Sequence, residues 1–193
     1  MNQSIPQRKP PVPSYVTVKE DGDRLVIKWR WFRWYYVALS LFCVSWDSFM
    51  LLWFMAAIMN GRPGAFMLLF ATPHFAAGVG MTYWTLAGFR NSTRIVFDGV
   101  LLSVTHGPMR WVGNRQLLAD DIEQLYCTPS SWDHSRRRIF DVWAITRGDR
   151  RIKLLGSLSD LGLALFVESK LEERLGIPDE CVPGEVKEWW TRR

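Results

Sequence analysis

The stretch that decides the fold is Trp34–Phe89: WYYVALSLFCVSWDSFMLLWFMAAIM over 34–59, the breaker Asn60-Gly61-Arg62-Pro63, and GAFMLLFATPHFAAGVGMTYWTLAGF over 64–89. The first run carries one charge, Asp47, and the second carries none, with His74 its most polar side chain. Each run exceeds the ~20 residues a helix needs to cross a hydrocarbon core. A soluble helix shows a polar face every few residues, and neither run does. So short a breaker makes the helices antiparallel neighbours. The expectation is a transmembrane helix hairpin over 34–89.

Basic residues set its orientation. Lys19, Arg24, Lys28, Arg30 and Arg33 precede the first run, Arg90 and Arg94 follow the second, and the turn holds only Arg62. Lys and Arg resist translocation, so both ends are expected in the cytoplasm and the turn outside. Trp29, Trp31 and Trp34 before the first run and Trp84 near the end of the second suit a headgroup region; Trp143 and Trp111 read as core aromatics. The three cysteines, Cys43, Cys127 and Cys181, suggest no pairing and fit a reducing compartment. The first apolar run starts too late for a cleavable signal peptide.

Outside the hairpin the chain reads as β-rich. Residues 1–14, with Pro6, Pro10, Pro11 and Pro13, form a flexible arm. Tyr15–Glu20 and Arg24–Trp31 alternate about an Asp21-Gly22-Asp23 turn. After the hairpin, Arg94–Phe97 and Val100–Val104 flank Asp98-Gly99. A less regular segment spans Gly107–Ala119. Asp121–Cys127, Ile139–Thr146 and Arg151–Leu155 give strands five to seven, the last two joined at Gly148-Asp149. Ser157 or Ser159 can cap a helix whose apolar stripe is Leu161, Ala164, Val167, Leu171 and Leu175, stopped by Gly176 and Pro178. Residues 177–193 are a tail.

Seven strands followed by one amphipathic helix resembles the pleckstrin-homology fold, and more specifically the bacterial PH-like membrane proteins. The resemblance rests on Thr93–Leu101, on Leu118–Leu125 and on the helix Leu158–Leu175. It implies an α+β membrane protein: a bent seven-stranded barrel, 15–33 with 90–176, one end plugged by the helix and split in sequence by the hairpin. A loop whose ends lie close tolerates such an excursion. It implies a multi-pass protein of the bacterial inner membrane.

No chemistry-bearing motif stands out. His74, His106 and His134 lack metal-ligand spacing, and no phosphate-binding loop or Gly-x-Ser-x-Gly elbow occurs. The expectation is a non-enzyme without cofactor or metal. Two basic clusters are candidate lipid or partner surfaces: Trp132 with Arg136, Arg137 and Arg138, and Arg147, Arg150 and Arg151 around the next hairpin. A solvated rim is the plainer alternative. The basic pI of 9.3 follows from topology, and nucleic acid is not expected as a partner. Ala76 and Gly80 form a small-xxx-small pair that admits a close helix, either the first run or another subunit.

Asp47 lies thirteen residues before Asn60 and His74 eleven after Pro63, a depth difference of ~3 Å. They are expected as an intramembrane polar pair. The pair would serve as glue between the helices, as a contact to another subunit, or as a proton relay. The functional expectation is a scaffold that assembles or docks a membrane-protein complex, with membrane lipids and a membrane-protein partner or second copy as its contacts. Recognition of anionic headgroups by the arginine loops, and a small subunit of a transport or proton-handling complex, are the alternatives.

Overall fold

A computed structural model describes residues 10–59, 65–130, 139–178, 180 and 182–186. The chain is α+β, with eight strands, two antiparallel sheets and three α-helices among the described residues. It divides into two compact units, one formed by 1–29, 93–106 and 111–193, the other by 30–92 and 107–110.

In the first unit, β1 (Val16–Asp21) and β2 (Arg24–Arg30) pair in register from Val16 opposite Trp29 to Asp21 opposite Arg24. The sheet continues through β3 (Ser92–Phe97), β4 (Leu101–Gly107) and β5 (Arg115–Leu118), in the order β1-β2-β3-β4-β5. Strands separated by the long excursion are therefore neighbours. Alternation puts Leu25, Ile27, Ile95, Phe97, Leu102 and Val104 on the buried face. Trp29 joins this core, because it continues the Leu25-Ile27 alternation.

The second sheet holds β6 (Ile122–Pro129), β7 (Phe140–Thr146) and β8 (Arg150–Leu158) in that order. Gly148 and Asp149 both take positive φ, 88° and 57°, the two-residue turn that matches strand twist. The free edge of β6 is covered by the tail, where Val186 N donates to the Cys127 carbonyl at 2.8 Å.

Two expectations are corrected here. Among the described residues there are eight strands, not seven: Arg115–Leu118 lies in the segment read as irregular. It is too short to show alternation and becomes a strand by pairing with β4, Leu101 opposite Leu118. Nor do the described strands close into a barrel. A 3-10 turn at Ala119–Asp121 breaks the ladder between β5 and β6, leaving two sheets.

The third helix, α3 (Leu161–Leu175), packs on β6, β7 and β8 through Ala164, Val167 and Leu171, the predicted stripe. Its cap is Asp160, not Ser157 or Ser159: Asp160 Oδ1 accepts from Gly162 N at 2.8 Å. Gly176, at φ 69°, ends it and returns its N–H to the Glu172 carbonyl. The helix also reaches β1, with Lys170 Nζ 2.8 Å from Glu20 Oε1, Arg174 donating to the Gly22 carbonyl and the Tyr15 hydroxyl donating to Asp160.

The second unit is built on α1 (Tyr35–Met59) and α2 (Ala65–Arg90). Tyr36 meets Gly88, while Asp47, farther along α1, meets Gly78 and Thr82, farther back along α2, so the helices run antiparallel. Among the described residues α1 alone is long and apolar enough to cross a membrane, with 11% of its apolar window buried. The expected pair of such helices is thus met by one. The described part of α2 carries Pro73, His74, Thr82, Thr85 and three glycines, and these lower its hydropathy.

Candidate functional site

Heptad spacing organises the helix pair. The buried positions of α1 are Tyr36, Cys43 and Met50, each seven residues after the last, and each is followed four residues on by a half-buried one, Ser40, Asp47 and Phe54. On α2 the matching positions are Ala71, Gly78 and Thr85, with His74, Met81 and Gly88 between. A repeat of three and four residues on both helices is the seam of a left-handed antiparallel pair.

That seam is unusually polar. The Thr82 hydroxyl donates to Asp47 Oδ2 at 2.7 Å. Thr85 gives its hydroxyl hydrogen to the Met81 carbonyl at 2.7 Å, so the Cys43 thiol, 3.6 Å away, is the donor to Thr85 Oγ1. Trp46 Nε1 donates to the His74 carbonyl at 3.3 Å, and the two rings stack with centroids 5.9 Å apart. Gly78 makes this possible: a Cβ there would lie 2.6 Å from Asp47 Oδ1 and 3.0 Å from the Trp46 ring.

Asp47 and His74 both lie along the seam, and the carboxylate is held by Thr82, two turns along α2 from His74. Equal depth was the criterion in the sequence; the supercoil selects which residue at nearby depth faces inward. Ala76 and Gly80 do not pack against α1. Both are exposed, and nothing lies within 4 Å of a Cβ on Gly80. Sequence reasoning missed Gly78, whose signal is the seven-residue spacing of small residues at 71, 78 and 85, and Thr82, which lies one turn beyond Gly78.

It also missed Asn91. This fully buried side chain accepts from Met109 N at 2.8 Å and donates to the Met109 carbonyl at 3.2 Å. Its backbone accepts from Trp31 N at 3.1 Å and donates to the Ala87 carbonyl at 2.8 Å. One asparagine therefore fastens the end of α2 to segments on both sides. Its only signal in the sequence is an amide directly after a helix.

In the first unit, Arg147, Arg150 and Arg151 are exposed at the β7–β8 hairpin. Arg151 lies 5.9 Å from the centroid of the Tyr126 ring, and Lys153 lies 4.9 Å from that of Trp143. Trp143 stands opposite Tyr126 on one side and Lys153 on the other, so two rings and a cation lie in one row across the sheet. Lys153 Nζ is 2.6 Å from Asp141 Oδ2, whose buried carboxylate also accepts from Ser157 N at 2.9 Å. This ties down the bulged register between β7 and β8. Trp132, Arg136, Arg137 and Arg138 lie outside the described residues, as does the turn between α1 and α2. Among the described residues no group of three or more His, Cys, Asp or Glu side chains could hold a metal ion.

No protein-family model matches the chain, and no curated protein is significantly similar to it.

Proposed function

We propose that this chain is a non-catalytic protein of the bacterial inner membrane: a PH-like domain held at the cytoplasmic leaflet by a transmembrane helix hairpin, serving to scaffold or dock a membrane-protein complex. The observation that carries this reading is an inversion. On α1 and α2 the polar groups Ser40, Cys43, Asp47, Thr82 and Thr85 face the seam. Leu41, Val44, Leu51, Leu52, Met55 and Ile58 on α1, and Phe75, Val79 and Leu86 on α2, are exposed. Water drives the opposite arrangement, apolar side in and polar side out. In hydrocarbon, polar side chains turn toward a neighbouring helix and pair there. A core helix of a soluble protein is mostly covered; α1 is not.

The PH-like assignment draws support from two antiparallel sheets followed by a helix that packs on β6, β7 and β8. The placing of both termini in the cytoplasm draws it from the basic flanks and the single Arg62 in the turn. The pairing of Asp47 with Thr82 favours a structural role for this carboxylate over a proton relay. A second reading, contact with anionic headgroups, is favoured by the exposed Arg147 and Arg150 beside Arg151.

Alkaline carbonate extraction of membranes from expressing cells tests the reading. The chain is expected in the pellet, with a cysteine at position 61 labelled by an impermeant reagent from outside and one at position 22 protected. Release into the supernatant would end the membrane reading. Labelling at 22 and not at 61 would invert the orientation and remove the cytoplasmic placement.

A further inference from the structure

Asp47 stands at the midpoint of the 25-residue helix α1 and is the one charge on it. On α2 the one charge is Arg90, its last residue, eight positions past Thr82 and about 12 Å of helix rise away. Neither helix therefore supplies a cation at the depth of Asp47. Among the described residues the carboxylate receives one hydrogen bond, from the neutral Thr82 hydroxyl at 2.7 Å. An ionised carboxylate has room for several.

The two margins of the seam differ. Trp46 marks one, stacked on the His74 ring, and Phe42, Phe49 and Trp53 extend it as a run of rings whose successive centroids are 5.8, 6.5 and 6.0 Å apart. Asp47, about 100° further round the helix, lies toward the other margin. It shares a helix face with Val44 and Leu51, three residues before and four after, and Thr82 shares one with Val79 and Leu86 in the same way. All four are exposed, whereas Asp47 and Thr82 are half-buried. A charged carboxylate is thus set in the middle of an aliphatic patch.

In hydrocarbon an ionisable side chain pairs with an opposite charge. A bound metal ion would need more donors than one carboxylate and one hydroxyl, and no group of three metal-ligating side chains occurs among the described residues. A second copy meeting this patch with its own would bring a second carboxylate to the same depth, and like charges repel. The complement that fits is a cation at the end of an apolar stem, its methylenes lying along the aliphatic side chains. At this depth the backbone that carries it must be helical.

We infer that this patch docks a membrane-spanning helix of another protein, and that a Lys or Arg at mid-span of that helix pairs with Asp47, which Thr82 orients. The inference rests on the membrane reading above and gives the docking role a partner of defined chemistry.

The test uses the full chain in phospholipid vesicles with a synthetic membrane-spanning peptide of Leu and Ala that carries one Lys at mid-span and a diazirine one turn away. A matched peptide has Leu in place of the Lys. Irradiation followed by mass spectrometry gives the yield of adduct and the positions joined. The Lys peptide is expected to give several-fold more adduct than the Leu peptide, at Val44, Leu51 or Val79 and not at Phe42, Phe49 or Trp53. Asp47→Asn, which keeps the shape and removes the charge, should bring the two yields together. If that variant does not fold, Val79→Trp crowds the patch with the carboxylate in place and should lower the Lys-peptide yield, while Phe49→Trp on the other margin should not. Equal yields with the parent chain, a Lys preference that survives Asp47→Asn, equal effects of the two Trp variants, or adducts on the aromatic margin would each overturn the inference. A chain that gives any of these results yet resists alkaline carbonate extraction from the vesicles leaves the membrane reading standing; a chain stripped from them ends both.

Discussion

At the scale of single residues, His106 links the fold to pH. Its Nδ1 lies 3.0 Å from the Thr93 hydroxyl, and its backbone N–H donates to Asn114 Oδ1 at 2.8 Å. Burial disfavours the imidazolium and lowers its pKa from 6.5; a hydrogen bond that the ring gives to the Gly113 backbone acts the other way and is smaller. The unfolded chain therefore takes up this proton more readily than the folded one. The contribution of His106 to stability is complete above pH 6.5 and is lost as pH falls below it. Chemical unfolding in detergent should show a lower midpoint at roughly pH 5.5 than at roughly pH 8, with the difference reduced in His106→Gln. An undiminished difference would assign the pH dependence to other groups. None of this was legible in the sequence, where His106 was one of three histidines without ligand spacing. Its neighbours Thr93 and Asn114 are brought to it by strand pairing and a loop. Asn91 was hidden for a related reason: its partner, Met109, is eighteen residues away.

At the scale of elements, the pair of helices separates two kinds of glycine. A Cβ on Gly88 would lie 2.2 Å from atoms of the Tyr36 ring, which is hemmed in by Tyr35, Trp84 and Phe89. Gly88→Ala should cost about 1–3 kcal/mol by overpacking. Gly80→Ala meets open space and should be neutral, or stabilising by up to about 1 kcal/mol through helix propensity. Thermal unfolding in one detergent measures both, and equal effects would contradict the seam. The helices themselves were legible because two apolar runs of this length admit little else. The seam is not legible from depth along the helices alone, because rotation about each helix decides which side chains face inward. The strands followed the same division. Alternation marked β1 to β4, whereas β5 is four residues made a strand by its neighbour. The step between sheets depends on Ala119–Asp121, which carries no strong breaker such as Gly or Pro.

At the scale of the whole molecule, the strands on either side of the insertion are neighbours in one sheet, and Trp31 N reaches the Asn91 carbonyl at 3.1 Å. A chain in which Trp31 is joined to Asn91 through a short Gly-Ser linker should therefore fold as a β-rich domain, without the helix pair and with Asn91 still facing Met109. Circular dichroism and a cooperative unfolding transition check this. A chain that stays unfolded would mean that the two halves of the five-stranded sheet need the helices between them. The position of the insertion also fixes an order of events during synthesis. The β1–β2 ribbon leaves the ribosome first, and two strands alone are marginally stable in water. Its apolar face, Leu25 and Ile27, finds Ile95 and Phe97 only after all of α1 and α2 has been made. Synthesis of the helices thus precedes completion of the sheet. A chain stalled at that step keeps an open strand edge, which quality-control proteases can recognise. The folded domain is in this sense a receipt for the completed synthesis of the helices.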